Sequence, residues 1–157
     1  MKTEAKATIT VNAPIEKVWE LIVNAANYPK WNPFIIRVET EGDVTQPGTQ
    51  IKFYVKFANG KQATSPELVV EAKPPHDDGS GVKRALWSYR FNGIMYKLGL
   101  LQTIRYHCLE QQPNGPTTYY TNIEFKGLLR NFVPLADVQE SFERQLNATA
   151  AYFSFPK

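Results

Sequence analysis

The chain has 157 residues, of which 43% are hydrophobic and 13% aromatic, enough apolar material for one domain with a full core. The net charge is +3 and there is no dense run of Lys and Arg, which argues against a nucleic-acid partner. No apolar stretch approaches the ~18 residues of a membrane span, so no stable membrane insertion is expected. With a single cysteine, Cys108, and no apolar leader-like segment, we expect a cytoplasmic protein without internal disulfides.

The chain opens with a half-buried strand and an amphipathic helix. From Ala5 to Val11 apolar and polar residues alternate, as on a strand with one buried face. The following segment NAPIEKVWELIVNAA carries Pro14 where the first turn of a helix tolerates proline. Its apolar residues repeat at helical spacing and predict one buried face: Val18, Leu21, Ile22 and Ala25.

The next stretch, NYPKWNPFII, places Trp31 between two prolines. Pro29 fixes φ early in a short turn, and Pro33 disfavours helical geometry at the residue before it. The stretch therefore predicts a second short helix, stiff and one turn long, that presents Trp31 and leads into a strand.

The rest of the chain reads mainly as strands. Alternation from Ile51 to Phe57 precedes Asn59-Gly60, a preferred two-residue hairpin turn. That turn pairs Ile51 with Leu68 and predicts the inner face of the second arm: Leu68, Val70 and Ala72. Further alternating segments predict strands at Lys83 to Phe91, Thr103 to Leu109 and Thr117 to Phe125, and helical spacing predicts a long helix from Leu135 to Tyr152.

This order of elements predicts an α+β fold. Consecutive hairpins give a curved antiparallel sheet of about seven strands, and the long C-terminal helix is its natural cover. A curved sheet wrapped round one helix leaves a space between them. Residues 1–157 contain no repeat or linker, so we expect a single domain.

Three segments resemble the START-like helix-grip (SRPBCC) superfamily, in particular its polyketide cyclase/dehydrase-like branch. They are ITVNAPIEKVWELIVNAANYPKWNPFI, TTYYTNIEFKGLL and SFERQLNATAAY. The resemblance implies a helix-grip fold with an internal cavity between the sheet and the C-terminal helix. At two inner positions where related proteins often carry a histidine and a glutamate, this chain has Arg105 and Ile123.

The strand from Thr103 to Leu109 admits two orientations. Apolar content alone turns Ile104, Tyr106 and Cys108 inward, whereas the resemblance turns the odd-numbered residues inward. A one-residue slip exchanges these outcomes. In the second orientation, which we favour, Arg105 would hold an enolate or carboxylate oxygen and His107 would move a proton near neutral pH.

Three functions remain open. The first is binding of a small hydrophobic or aromatic ligand in the cavity, and the second is a cofactor-independent cyclase or dehydratase that uses Arg105 and His107. The third is a lipid or quinone carrier whose apolar segment Asn92 to Leu101 acts as a lid, for which we expect exposed apolar surface. The predicted ligand-binding residues are Trp31, Phe53, Val55, Phe57, Trp87, Tyr89, Phe91, Tyr119, Phe125 and Phe142.

We predict no cofactor and no metal site. The sequence has no phosphate loop, nucleophile elbow or metalloprotease motif. His76 lies in a loop beside Asp77 and Asp78, but three adjacent loop residues rarely enclose one ion. No feature of the sequence specifies an oligomeric state.

Overall fold

A seven-stranded antiparallel sheet forms the body of the protein, which is described by a computed structural model over residues 3–154. The ends of the predicted 1–157 domain lie outside these residues. The strands are β1 (Thr3–Val11), β2 (Ile35–Thr40), β3 (Gln50–Lys56), β4 (Gln62–Asp77), β5 (Lys83–Phe91), β6 (Gln102–Gln111) and β7 (Thr117–Lys126). Their order across the sheet is β1-β7-β6-β5-β4-β3-β2, so each hairpin places consecutive strands side by side.

One long helix covers the concave face of this sheet. The helices are α1 (Ile15–Val23), α2 (Tyr28–Trp31), α3 (Ile94–Lys97) and α4 (Leu135–Ser154), with short 3-10 turns at Ala25–Asn27 and Arg130–Phe132. The face of α4 that meets the sheet is buried at Val138, Phe142 and Leu146. The predicted helix-grip architecture, with two short N-terminal helices and a long C-terminal one, is confirmed.

The α2 turn packs Trp31 between its own residues and the end of α4. Its ring lies edge-on to Tyr28 at 5.5 Å and 6.3 Å from the ring of Tyr152. Beyond the turn, the buried side chain of Asn32 accepts hydrogen bonds from the backbone N–H groups of Phe34 and Ile35. Trp31 therefore packs the segment that leads into β2 against the C-terminal part of α4.

The register of the β3–β4 hairpin differs from the prediction by one residue. Ile51 lies opposite Glu67, not opposite Leu68. The connection is longer than a two-residue turn because the N–H of Phe57 donates to the carbonyl of Lys61, which leaves three residues in the loop, and Gly60 adopts φ +86.

This shift exchanges the two faces of β4. Glu67 and Val69 are buried, whereas Leu68 is only partly covered and Val70 is 39% exposed. A bulge after Val69 then restores the predicted face, so that Ala72 packs against the core. The consequence for function is that a carboxyl group, that of Glu67, enters the inner face of the sheet.

Candidate functional site

A cavity of about 270 Å³ lies between the concave face of the sheet and α4. Most of its wall is aromatic or aliphatic. Seven of the ten predicted ligand-binding residues line it: Phe53, Val55, Phe57, Tyr89, Phe91, Phe125 and Phe142. Arg105 and Glu67 supply its charged groups.

Three predicted ligand-binding residues, Trp31, Trp87 and Tyr119, do not line the cavity, and neither does His107. Trp87 and Tyr119 are fully buried. The Trp87 ring stacks on His107 at 5.5 Å, and its indole N–H donates to the carbonyl of Val44 at 2.9 Å. Both rings contact His107 and belong to the packed core, not to the cavity wall.

Arg105 reaches the cavity from β6, where the odd-numbered residues point inward as the resemblance implied. Its Nε donates to the Thr121 hydroxyl at 3.2 Å and its Nη2 to the Gln145 side-chain oxygen at 3.0 Å. Its Nη1 donates to the Tyr89 hydroxyl at 3.3 Å, and the guanidinium lies over the Phe142 ring at 3.9 Å. Sheet and helix together therefore fix its orientation.

The guanidinium of Arg105 is buried without a counterion. It is 4% exposed, and within residues 3–154 no carboxylate lies within 4.0 Å of it. A guanidinium has five N–H donors, of which three are used here, so donors remain for another group. Burying a charge is costly unless it is paired, which makes this site favourable for an anionic or strongly accepting oxygen.

His107 sits behind Tyr89 in a chain of hydrogen bonds. Its Nε2 lies 3.0 Å from the Tyr89 hydroxyl and its Nδ1 lies 2.6 Å from the Tyr119 hydroxyl. Burial, with a smaller contribution from the positive charge of Arg105, holds the pKa of His107 well below its usual value. His107 is therefore a neutral imidazole that orients Tyr89. The Tyr89 hydroxyl in turn accepts a hydrogen bond from Arg105, so His107 is connected to Arg105 only through Tyr89.

Glu67 is the site residue that the sequence did not reveal. The residue is 7% exposed, and its Oε1 accepts a hydrogen bond from the Ser65 hydroxyl at 2.7 Å. Burial raises the pKa of Glu67 to about 7, against the opposing effects of the Ser65 hydrogen bond and of Arg105 and Arg90. The only signal in the sequence was its place in the hairpin, and the assumed turn length put it on the wrong face.

Two neighbouring loops frame one end of the cavity, and we call them the rim loops: residues 93–101 and 126–134. The N–H of Leu129 donates to the carbonyl of Leu100 at 3.0 Å, which joins them. Leu101 and Val133 line the cavity. Large apolar side chains of both loops face solvent, namely Ile94 (63% exposed), Met95 (38%), Leu98 (63%), Leu128 (77%) and Phe132 (82%).

Neither a metal cluster nor a spanning helix occurs in the described part of the chain. Over residues 3–154, no group of three or more His, Cys, Asp or Glu side chains is arranged to hold a metal ion. In the same range, no helix has the length and apolar character needed to cross a membrane.

Solved structures with the same fold include proteins of different activities. The chain superposes on ginseng major latex-like protein 151 from Panax ginseng with a TM-score of 0.74 and 9% identity, covering 98% of this chain and 99% of that one. Zhui aromatase/cyclase from Streptomyces sp. R1128 matches with a TM-score of 0.70 and 16% identity over 97% and 93% of the two chains. A norcoclaurine synthase point mutant from Thalictrum, in complex with a transition-state analogue, gives 0.63 and 14% over 98% and 94%.

The solved structures share only the fold with this chain, whereas comparison of sequences identifies its family. No curated protein sequence matches the chain. The sequence profile of the family described as polyketide cyclase/dehydrase and lipid transport matches residues 2–153. This match spans nearly the whole chain, and the chain therefore belongs to the polyketide cyclase/dehydrase and lipid transport family.

Proposed function

We propose that the protein binds a small aromatic or hydrophobic molecule in the cavity, with an anionic or strongly accepting oxygen of that molecule held by Arg105. The observation that carries the proposal is the buried guanidinium without a carboxylate partner, set in a wall of aromatic rings. The volume of about 270 Å³ lies just below the ~300–1,000 Å³ of typical small-molecule sites, which suits a ligand of one or two rings.

Replacing Arg105 with Met is expected to weaken binding of 2-naphthoate about 10- to 100-fold and to leave binding of neutral 2-methylnaphthalene nearly unchanged. A hydrogen bond to a charged group contributes ~1.5–3 kcal/mol, and each 1.4 kcal/mol is tenfold in affinity. Titration calorimetry with both compounds measures the two effects separately.

Arg90→Met is the matched control for this experiment. Arg90 lies on the adjacent strand, where it stacks over Tyr96 at 4.1 Å, and it does not line the cavity. Equal affinity of wild type and Arg105→Met for 2-naphthoate would contradict the proposal, provided that circular dichroism shows both variants folded.

Enzymatic cyclisation or dehydration is the second use of the same cavity. Arg105 suits an oxyanion-holding role, because it is fixed by Thr121, Tyr89 and Gln145 before any ligand arrives. His107 does not line the cavity, so in this proposal it is a positioning residue that acts through Tyr89.

Lipid or quinone carriage is the third candidate, and the rim loops favour it. They expose the apolar surface expected of a carrier, and they contain Lys97, Lys126 and Arg130 with no acidic residue. An apolar patch with basic residues suits contact with an anionic lipid surface at the point where a ligand would enter.

The double variant Leu128→Ser, Phe132→Ser is expected to lose about 100-fold in binding to phosphatidylcholine–phosphatidylglycerol vesicles, because each of the two side chains loses ~1.5 kcal/mol or more of apolar burial and each 1.4 kcal/mol is tenfold in affinity. Co-sedimentation measures the bound fraction. The matched control is Ile36→Ser, Val70→Ser, which changes two exposed apolar residues outside the rim loops. If wild type does not sediment with the vesicles, the carrier candidate is rejected.

A further inference from the structure

Glu67 and Arg105 lie on the same inner face of the sheet with Tyr89 between them. Arg105 is the register partner of Tyr89 across β5–β6, and Glu67 is the partner of Phe91 across β4–β5. Strands ~4.8 Å apart with ~3.4 Å per residue place the Cα atoms of Glu67 and Arg105 about 12 Å apart along this diagonal. The two groups form no ion pair, and both line the cavity.

We propose that Glu67 is the acid–base group of this cavity, and that the ligand class includes carbonyl compounds whose enolate oxygen is held by Arg105. The inference rests on the proposed function, because it requires a ligand to lie between the two residues. It assigns the proton transfer to Glu67 instead of His107, because Glu67 lines the cavity and His107 does not.

The carboxyl of Glu67 is positioned and still has acceptor capacity. The Ser65 hydroxyl holds Oε1, and within residues 3–154 no hydrogen bond is formed by Oε2. A carboxylate fixed at one oxygen and free at the other suits proton transfer to a bound molecule.

The surroundings of Glu67 leave its proton exchangeable near neutral pH. Arg105 on β6 and Arg90 on β5 favour its charged form, whereas burial favours its neutral form and has the largest effect. Tyr89 on β5 interacts with it electrostatically, and Lys97 of α3 lines the adjoining surface depression. On β3 its partner is Ile51, and Lys52 of that strand lines the same depression, together with Glu39 of β2 and Glu41 just after it. The residue of α4 lining the cavity above Arg105 is Phe142, which carries no charge.

The proposed step is enolisation. The Glu67 carboxylate takes a proton from the carbon beside a ligand carbonyl; the C–H bond breaks and an O–H bond forms on Glu67. The electron pair moves to the carbonyl oxygen, and the negative charge is stabilised by the N–H groups of Arg105. Return of a proton from Glu67 to the carbon restores the ketone, so the cycle needs no co-reactant. In D₂O the proton held by Glu67 is replaced by a solvent deuteron before this return, and the carbon gains deuterium.

Hydrogen–deuterium exchange tests this step. Wild type is expected to accelerate exchange of the benzylic methylene hydrogens of phenylacetone in D₂O above the buffer rate, with the rate rising as pH increases through about 7, where Glu67 ionises. Glu67→Gln is expected to lower the enzymatic rate by about 10²-fold or more, since general-base catalysis contributes ~10²–10⁴. Proton NMR follows the loss of the methylene signal.

Matched measurements separate this inference from the proposed function. Glu71→Gln, on the same strand but ion-paired with Lys73 at the surface, is expected to exchange at the wild-type rate. Wild type and Glu67→Gln are both expected to bind 2-naphthoate. If wild type binds 2-naphthoate but does not accelerate exchange, or if Glu67→Gln exchanges as fast as wild type, the role of Glu67 is overturned. If wild type does not bind 2-naphthoate, the proposed function fails, and the role of Glu67 fails with it.

Discussion

Glu67→Gln is expected to gain stability relative to wild type as the pH rises from 4.5 to 8. The measured quantity is the difference in the free energy of unfolding between the variant and wild type. The pKa of Glu67 is raised by burial to about 7 in the folded protein, from a usual value of 4.5. The folded state therefore holds a proton that the unfolded state releases between these values. Unfolding is favoured as pH rises through this window, and the full effect corresponds to about 3 kcal/mol.

Urea unfolding of both proteins at pH 4.5, 6, 7 and 8 measures this difference. The window overlaps with an opposite effect of His107, whose lowered pKa makes the fold lose stability as pH falls below 6.5. Both proteins contain His107, so its contribution cancels in their difference. Glu71→Gln serves as the control for loss of a carboxylate on β4, and it is expected to show no such pH dependence. A difference that stays constant with pH would contradict the assignment of a neutral, buried Glu67.

The expected pH-dependent difference would show that burying Glu67 costs stability when no ligand is bound. The fold buries a guanidinium and a carboxyl on one face and does not bring them together as an ion pair. Arranged in this way, neither group offsets the desolvation of the other through direct contact. A bound molecule placed between Arg105 and Glu67 would provide the missing partner for both, which links the stability measurement to the proposed binding.

Periodicity in the sequence was sufficient to predict the antiparallel sheet and its long covering helix, and seven of the ten predicted ligand-binding residues lie in the cavity wall. The alternation on β5 correctly turned Trp87, Tyr89 and Phe91 toward the inner face, and helical spacing correctly turned Phe142 toward the sheet. Periodicity predicts which face of a strand a residue lies on, but it does not predict whether that residue lines the cavity. Trp87 and Tyr89 share a face, yet only Tyr89 reaches the cavity, whereas Trp87 is fully buried against His107 and the carbonyl of Val44.

Two other features depended on contacts that no local pattern encodes. The face of β6 was ambiguous in apolar content, and Arg105 turns inward because Thr121 and Gln145, from β7 and α4, accept its hydrogen bonds. Glu67 was missed because one residue of loop length decides which face of β4 points inward. In both cases the side chain is polar and occupies a position where an apolar residue would be expected, as is common at sites that serve binding or catalysis.

Gly127→Ala is expected to lower the free energy of unfolding by about 3 kcal/mol or more, because a left-handed backbone costs ~1–2 kcal/mol for a residue with Cβ and overpacking adds ~1–3 kcal/mol. Gly127 has φ +102, and a Cβ at this position would clash with the carbonyl oxygen of Leu100. The same carbonyl accepts the hydrogen bond from Leu129 that joins the rim loops. Urea unfolding measures the loss.

Gly99→Ala is the matched control, since Gly99 also has a positive φ, +71, but a Cβ there meets nothing within 4 Å. It is expected to lose only the ~1–2 kcal/mol of the backbone conformation. The difference between the two variants therefore isolates the contact between residues 127 and 100. Because the rim loops frame the end of the cavity, Gly127→Ala is also expected to speed the release of 2-naphthoate in stopped-flow displacement, whereas Gly99→Ala is not. Equal stability and equal release rates for the two variants would show that the contact between the rim loops neither supports the fold nor controls access to the cavity.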